Sequence, residues 1–376
     1  MSLLTHAGLR RLFRRLHYWL GVALAVPFLV VAITGCLLGF GPELDHLIYA
    51  DFYHPSGAGG VVSAQQVLDA ARAANPLPVM SLSPPSDRSP VWLVAQGTGK
   101  GANMGVQQES SFDPATGVLI GRRDTNANPV RVIHRLHNAF LLENGRQIVG
   151  YVGLVLAFLL VSGLVVLLPP PGGWRRAAFP PKGTRGARWL LDWHTAASLW
   201  PLPIILLVTL TGLSMTFPQT SRALLGENGG HMMGGNGGAA PGHPFPVNAD
   251  QAIEIALAAY PGTELQSLTP ASAGHPVWRL SLRPATGLWQ RRVQVMVDAN
   301  SGDQHSMTPT SAAGFYLAQQ HGLHGGAVLG FAGRMLVFTA GLCMTFLPLS
   351  GLLVWARRHR RRAAASVTPI ALPQEN

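Results

Sequence analysis

Four stretches of this chain contain no Asp, Glu, Lys or Arg: 16–42, 148–174, 193–221 and 335–356. A bilayer core is crossed by roughly 20 consecutive apolar residues in a helix, which closes its own backbone hydrogen bonds where no water is present to do so. Each stretch is long enough, so four transmembrane helices are expected. Over all 376 residues, charged side chains make up only 12%, about half of what a soluble domain carries.

The cations lie beside these stretches. Arg10, Arg11, Arg14 and Arg15 precede the first; Arg175, Arg176, Lys182, Arg185 and Arg188 lie between the second and third; Arg357, Arg358, Arg360, Arg361 and Arg362 follow the fourth. Short positive segments stay in the cytoplasm. Both termini are therefore expected inside, with two large loops outside. The net charge of +11 is mostly this topology signal, and no nucleic-acid partner is expected. A rival reading makes the N-terminus a lipoprotein signal cleaved before Cys36 at "ITGC", but the apolar run exceeds the roughly 7–15 residues of a signal core. The two cysteines, Cys36 and Cys343, both fall in spans and give neither a disulfide framework nor a thiolate cluster. Metal chemistry would have to use histidine.

The chain repeats itself. His17 and His194 are 177 positions apart, as are Thr34-Gly35 and Thr211-Gly212. Gly145-Arg146 and Gly333-Arg334 are 188 apart, as are Ser162-Gly163-Leu164 and Ser350-Gly351-Leu352. The doublets His134/His137 and His321/His324 align at an offset of 187. In the outer loops "SAQQVLDAARAANP" matches "NADQAIEIALAAYP", and "FDPATG" matches "VDANSG", both at 185. Each loop reads as an N-capped helix, then alternating strands, then an Asp-x-x-x-Gly turn.

A helix followed by strands ending in "FDPATG" or "VDANSG" resembles a PepSY domain. Two such domains threaded between four spans resemble the PepSY-associated transmembrane family, on motifs that include "LHYWLG", "DWHTAASLW", "HRLHNAF" and "HGLHGG". Within that family the chain is similar to the bacterial inner-membrane bis-haem reductases of ferric siderophores. The expected fold is a membrane α-helical one: four transmembrane helices in two parallel repeats, with two periplasmic α+β PepSY-like domains. The boundaries run 1–42 for the cytoplasmic N-terminus and first span and 43–133 for outer domain one. They continue 134–168 for a histidine-bearing entry segment and second span, 169–192 for a cytoplasmic loop and 193–217 for span three. Outer domain two takes 218–318, a second entry segment and span four 319–356, and the basic tail 357–376.

Parallel two-span repeats are related by a pseudo-two-fold axis along the membrane normal, so equivalent residues can face each other. His17 is then expected opposite His194 at the cytoplasmic side, and His137 opposite His324 at the outer side. Opposed imidazoles supply the two axial nitrogens of a six-coordinate haem iron. Two haem b groups (iron protoporphyrin IX), each held by two histidines, are therefore expected; no "CxxCH" is present for covalent attachment. A histidine at a span end can equally bond a carbonyl or lipid headgroup. Residues at i and i+3 share a helix face, so one member of each outer doublet ligates and the other supports. His137 and His324 are favoured over His134 and His321. Arg146 and Arg334 suit haem propionates, or alternatively snorkel to the interface. Outside the repeat, Gly226–Pro244 reads as a glycine-rich linker whose His231, Met232, Met233 and His243 also suit Cu(I).

The activity implied by the resemblance is electron transfer from a cytoplasmic or quinol donor across the lipid bilayer to a periplasmic ferric siderophore or other Fe(III) chelate. A different class of function is a cofactor-free scaffold whose PepSY domains bind an envelope peptide or protease. A transporter fits less well, since the spans carry no Asp, Glu, Lys or Arg to couple ions.

Overall fold

The computed structural model describes residues 6–57, 60–87, 89–98, 105–167, 173–180, 182–227, 245–285, 292–306 and 311–366. The chain divides into a helical unit (Met1–Cys36, His137–Thr216, Met335–Asn376) and a sheet unit (Leu37–Leu136, Phe217–Arg334).

In chain order, α1 (His6–Ala23), α2 (Ala25–Leu38) and α3 (Gly41–Ile48) come first, then α4 (Ala64–Ala74). Strands β1 (Val79–Ser83), β2 (Trp92–Gly97), β3 (Val106–Phe112) and β4 (Leu119–Asp124) follow. Next are α5 (Pro129–Ala139), α6 (Gly145–Leu167), α7 (Trp174–Ala178), α8 (Gly186–Leu199), α9 (Leu202–Thr216), α10 (Pro218–Leu224) and α11 (Ala249–Ala259). Strands β5 (Thr263–Thr269), β6 (Val277–Pro284), β7 (Val293–Asp298) and β8 (Gln304–Ser306) precede α12 (Ala312–His324) and α13 (Gly330–Ser366).

Helix α6 and the stretch Ala327–Arg360 are each long and apolar enough to cross a membrane. Two further candidates are bent pairs. Helices α1 and α2 meet at 66° and α8 and α9 at 65°, giving up to four spans among the described residues if each pair crosses as one. Proline accounts for both bends. A proline ring has no N–H to give and crowds the carbonyl four residues back. For Pro27 that carbonyl belongs to Ala23, the last residue of α1; Pro201 and Pro203 do the same to Ala197 and Leu199. Phe28, Val152 and Leu159 pack with Leu20 and Leu24, while Leu160, Ile205 and Ala340 pack with Leu156 and Met344. Val26, Leu154, Leu210 and Leu336 stay exposed, as residues facing lipid do.

In the sheet unit all eight strands form one sheet in the order β4-β3-β2-β1-β5-β6-β7-β8. The two stretches that read as separate α+β domains thus share a sheet: each is an antiparallel meander, and β1 pairs antiparallel with β5 at Leu82 and Leu268. One face carries Val79, Leu82, Val94, Phe112, Leu268, Leu280, Leu282, Val295 and Val297, buried under Val67, Leu68, Ala252 and Ala256 of α4 and α11. Both helices start with capping boxes, Ser63 with Gln66 and Asn248 with Gln251. They also cap each other. Asp250 of α11 accepts from the backbone N–H of Ala64 at 2.8 Å, and Gln65 of α4 accepts from that of Ala249 at 3.1 Å. Gln65 and Asp250 are 185 positions apart, so equivalent residues reach across a local two-fold.

Candidate functional site

His17 sits on α1 and His194 on α8, each before the proline bend of its pair. Their ring centroids are 6.5 Å apart and their planes are at 82°. Each ring is tied down by a serine from another helix. Nδ1 of His17 is 3.0 Å from Oγ of Ser162 on α6, and Nδ1 of His194 is 2.8 Å from Oγ of Ser350 on α13. Those hydroxyls in turn donate to the carbonyls of Leu159 (3.1 Å) and Leu347 (2.8 Å). With the serine hydrogen spent on a carbonyl, Oγ is an acceptor, so Nδ1 carries the imidazole proton and Nε2 keeps its lone pair. This is the tautomer that ligates through Nε2, fixed by an outer hydrogen bond as metal-binding histidines are. The ring of His17 also lies on bare backbone, since a Cβ at Gly163 would meet its Cε1 at 3.0 Å.

The spacing suits an iron between the rings. Two metal–imidazole bonds of about 2 Å, together with the depth of each ring behind its nitrogen, span roughly 6 Å between centroids. Among the described residues no three or more His, Cys, Asp or Glu converge as a metal-ion group.

His137 has the same local signature. Its Nδ1 lies 3.0 Å from both the Thr34 hydroxyl and the Val31 carbonyl. Thr34 donates to the Val30 carbonyl at 2.6 Å. A Cβ at Gly35 would meet Cε1 of His137 at 3.1 Å. Thr211, one repeat on from Thr34, likewise donates to the carbonyl of Leu207 at 2.7 Å. His134, one helical turn earlier, differs. It lines a cavity of about 320 Å³ with Asp45, Arg123 and Arg131. Burial pushes its imidazole below the ordinary value, and the charges of Arg131 and His321 push the same way. His321 and His324 occupy the last turn of α12. That helix is closed by a turn in which Gly326 has φ +75°, and a Cβ there would lie 2.3 Å from the Gly333 carbonyl oxygen.

Both arginines of the repeat are engaged. Arg146 donates to the Met215 carbonyl at the end of α9. Arg334 donates to the carbonyl of Gly39 at 2.7 Å and to the Glu43 carboxylate at 2.7 and 2.8 Å. Each caps orphan carbonyls where a helix ends. Both cysteines are free. His231, Met232, Met233 and His243 lie outside the described residues.

The profile described as the PepSY-associated TM region matches residues 14–358. The chain belongs to the PepSY-associated transmembrane family. It is accordingly a membrane protein. No curated protein matches it.

In this PepSY-associated chain the serine and threonine partners were visible in the sequence only as repeated positions. Ser162 and Ser350, like Thr34 and Thr211, recur in step with the histidines, and that was the available signal. A second feature left no such trace. Arg123 of β4 donates to Asp45 at 2.7 and 3.1 Å and to Glu109 at 2.8 and 3.0 Å. Its guanidinium lies 4.2 Å from the Phe52 ring centre. Asp45 also accepts from Tyr53 and Asn128, and Glu109 from Arg131. Burial pushes the Asp45 carboxyl up, but the hydrogen bonds from Arg123, Tyr53 and Asn128 and the charge of Arg123 outweigh it, leaving it below the usual carboxylate range.

Proposed function

We propose that the chain is a haem-b oxidoreductase of the bacterial inner membrane that carries electrons across the bilayer to reduce a periplasmic Fe(III) chelate such as a ferric siderophore, releasing Fe(II) for uptake. What supports this most is one observation: His17 and His194, equivalent in the two repeats, stand with ring centres 6.5 Å apart and with both Nδ1 atoms held by serine. These two would hold the inner haem. For the outer haem, His137 has a locked Nδ1, and the repeat alone assigns His324 as its counterpart.

Bound between these imidazoles, haem would supply one-electron transfer. The protein's own residues contribute position and tautomer. Ser162, Ser350 and Thr34 keep each Nδ1 protonated, so the ligating nitrogen stays neutral and aimed. The four stretches carry no Asp, Glu, Lys or Arg for ion passage, which fits an electron path better than a transporter. Hard oxygen donors hold Fe(III) more strongly than Fe(II), so reduction loosens the chelate. No G-x-G-x-x-G fingerprint stands at a strand–helix junction, so the donor is a quinol or a cytoplasmic partner.

The test is the absorption spectrum of the detergent-purified protein. A Soret band with sharp α and β bands on dithionite reduction is expected. His17→Ala or His194→Ala should each remove one haem of two and leave the other reducible. A colourless wild-type protein sinks the proposal and leaves the scaffold reading.

A further inference from the structure

The sheet has a second face, and the two halves of the chain use it oppositely. In the first half it is covered. Phe52 and Tyr53 pack on Val91 and Leu93, and Glu109 and Arg123 neutralise each other beneath them. In the second half the matching positions have changed character. Leu93 corresponds to Arg279 and Ala95 to Ser281, both 186 positions on, and Glu109 corresponds to Gln294, 185 positions on. The register agrees with the alignment: Ala95 pairs with Glu109 in one half and Ser281 with Gln294 in the other. An apolar residue has become a cation and an acid a neutral amide.

The outcome is a cleft of about 530 Å³ across the β1–β5 junction, within the roughly 300–1,000 Å³ of small-molecule sites. Ser81 and Ser83 line one side, Gln266 and Thr269 the middle, and Ser281, Gln294, Arg279 and Arg292 the other. Among the described residues its lining includes no acid and no large apolar side chain. Ser281 is buried and donates to Gln266 at 3.3 Å, which sets the floor in one orientation. Two guanidiniums set among hydroxyls and amides favour an anion that presents several oxygens. Arginine meets carboxylate or similar oxygen pairs through two parallel N–H bonds.

We propose that this cleft binds an oxygen-rich anionic small molecule, with Arg279 and Arg292 meeting its charge and Ser81, Ser281 and Gln294 its remaining oxygens. The site rests on the oxidoreductase reading only for which anion fills it: a metal chelate or a free polycarboxylate shares this chemistry.

Equilibrium dialysis of the full-length protein in detergent separates these. The probes are gallium citrate, which mimics a ferric chelate without being reducible, and metal-free citrate. Saturable binding of one or both is expected, weakened at least tenfold by Arg279→Gln and by Arg292→Gln and unchanged by the cytoplasmic Arg185→Gln. Gln294→Glu, which restores the acid of the first half, should weaken it at least as much. Tighter binding of gallium citrate identifies a chelate, and tighter binding of citrate a free acid. The proposal is overturned if neither probe saturates, if the arginine variants bind as wild type, or if equimolar sulfate competes as well as citrate. A colourless protein that still binds sinks the redox reading alone; a haem-loaded protein that binds neither probe sinks this one alone.

Discussion

The helical unit and the sheet unit have treated the same duplication differently. In the helical unit both copies keep the same parts: a histidine before a proline bend, and a serine three residues beyond a helix carbonyl that takes the serine's hydrogen. In the sheet unit the copies share strands, helices and caps, but the second face has diverged from a buried ion network to a cleft lined by Arg279 and Arg292. The proposed inner haem would need His17 and His194 together, which would keep those copies alike, whereas the Arg123 network anchors one half of the sheet by itself.

The sharpest way to break this comparison is to remove the anchor. Arg123→Met leaves Asp45 buried without its cation and Glu109 with Arg131 alone; the side chains of Arg123, Asp45 and Glu109 are only 9–12% exposed. A loss of about 3–5 kcal/mol is expected, read as a large fall in the melting midpoint of the sheet unit. Arg279→Met, on the open face of the other copy, should cost under about 0.5 kcal/mol. Equal costs would show that the two faces do not differ in role.

Part of this contrast could be read from sequence and part could not. The charge-free stretches mark membrane helices because hydrocarbon tolerates so little else, and a fixed offset of 177 places His17 against His194. The bends were there to be found in Pro27, Pro201 and Pro203, but a proline in an apolar run does not say how far the helix turns. Ser162 and Ser350 were visible as a repeat, yet Ser-Gly in a membrane helix serves packing as well as hydrogen bonding. The Arg123 network stayed hidden because Asp45 is 78 positions away and arises from a different element, with no periodicity to link them. Nor does any turn encode the β1–β5 pairing, which joins two long-separated edges.

The next largest effects test likeness in the helical unit. Ser162→Ala and Ser350→Ala should each lower haem affinity about 10- to 100-fold, the usual toll of losing a ligand's outer hydrogen bond. Haem retention after competition with apomyoglobin measures it. If one variant loses haem and the other does not, the copies are not equivalent. A finer difference is built in: a Cβ at Gly163 would press on His17 at 3.0 Å, whereas one at Gly351 meets nothing within 4 Å. Gly163→Ala should therefore shift the reduction potential of one haem, and Gly351→Ala neither.

The smallest effect compares two equivalent turns. Asp113 accepts from the amides of Ser56 (2.5 Å), Ala115 (2.9 Å) and Thr116 (3.0 Å). Asp298 accepts only from Asn300 (2.8 Å) and Ser301 (2.9 Å) among the described residues. The Ser56 amide, with those of Ala115 and Thr116, holds the Asp113 carboxyl far below the usual range against the opposing effect of burial. The Ser301 and Asn300 amides lower Asp298 as well. A carboxyl whose folded value is depressed stabilises the fold fully above its unfolded value, about 3.9, and that contribution drains away as pH falls toward the folded value. The melting midpoint should therefore drop from about pH 5 downward and go on dropping below about pH 3. Asp113→Asn should flatten that drop more than Asp298→Asn, because it removes the carboxylate with the additional contact from the segment that covers the first half. Two superimposable curves would mean that Ser56 adds nothing, and that the covering segment is held by Arg123 and by the packing of Phe52 and Tyr53.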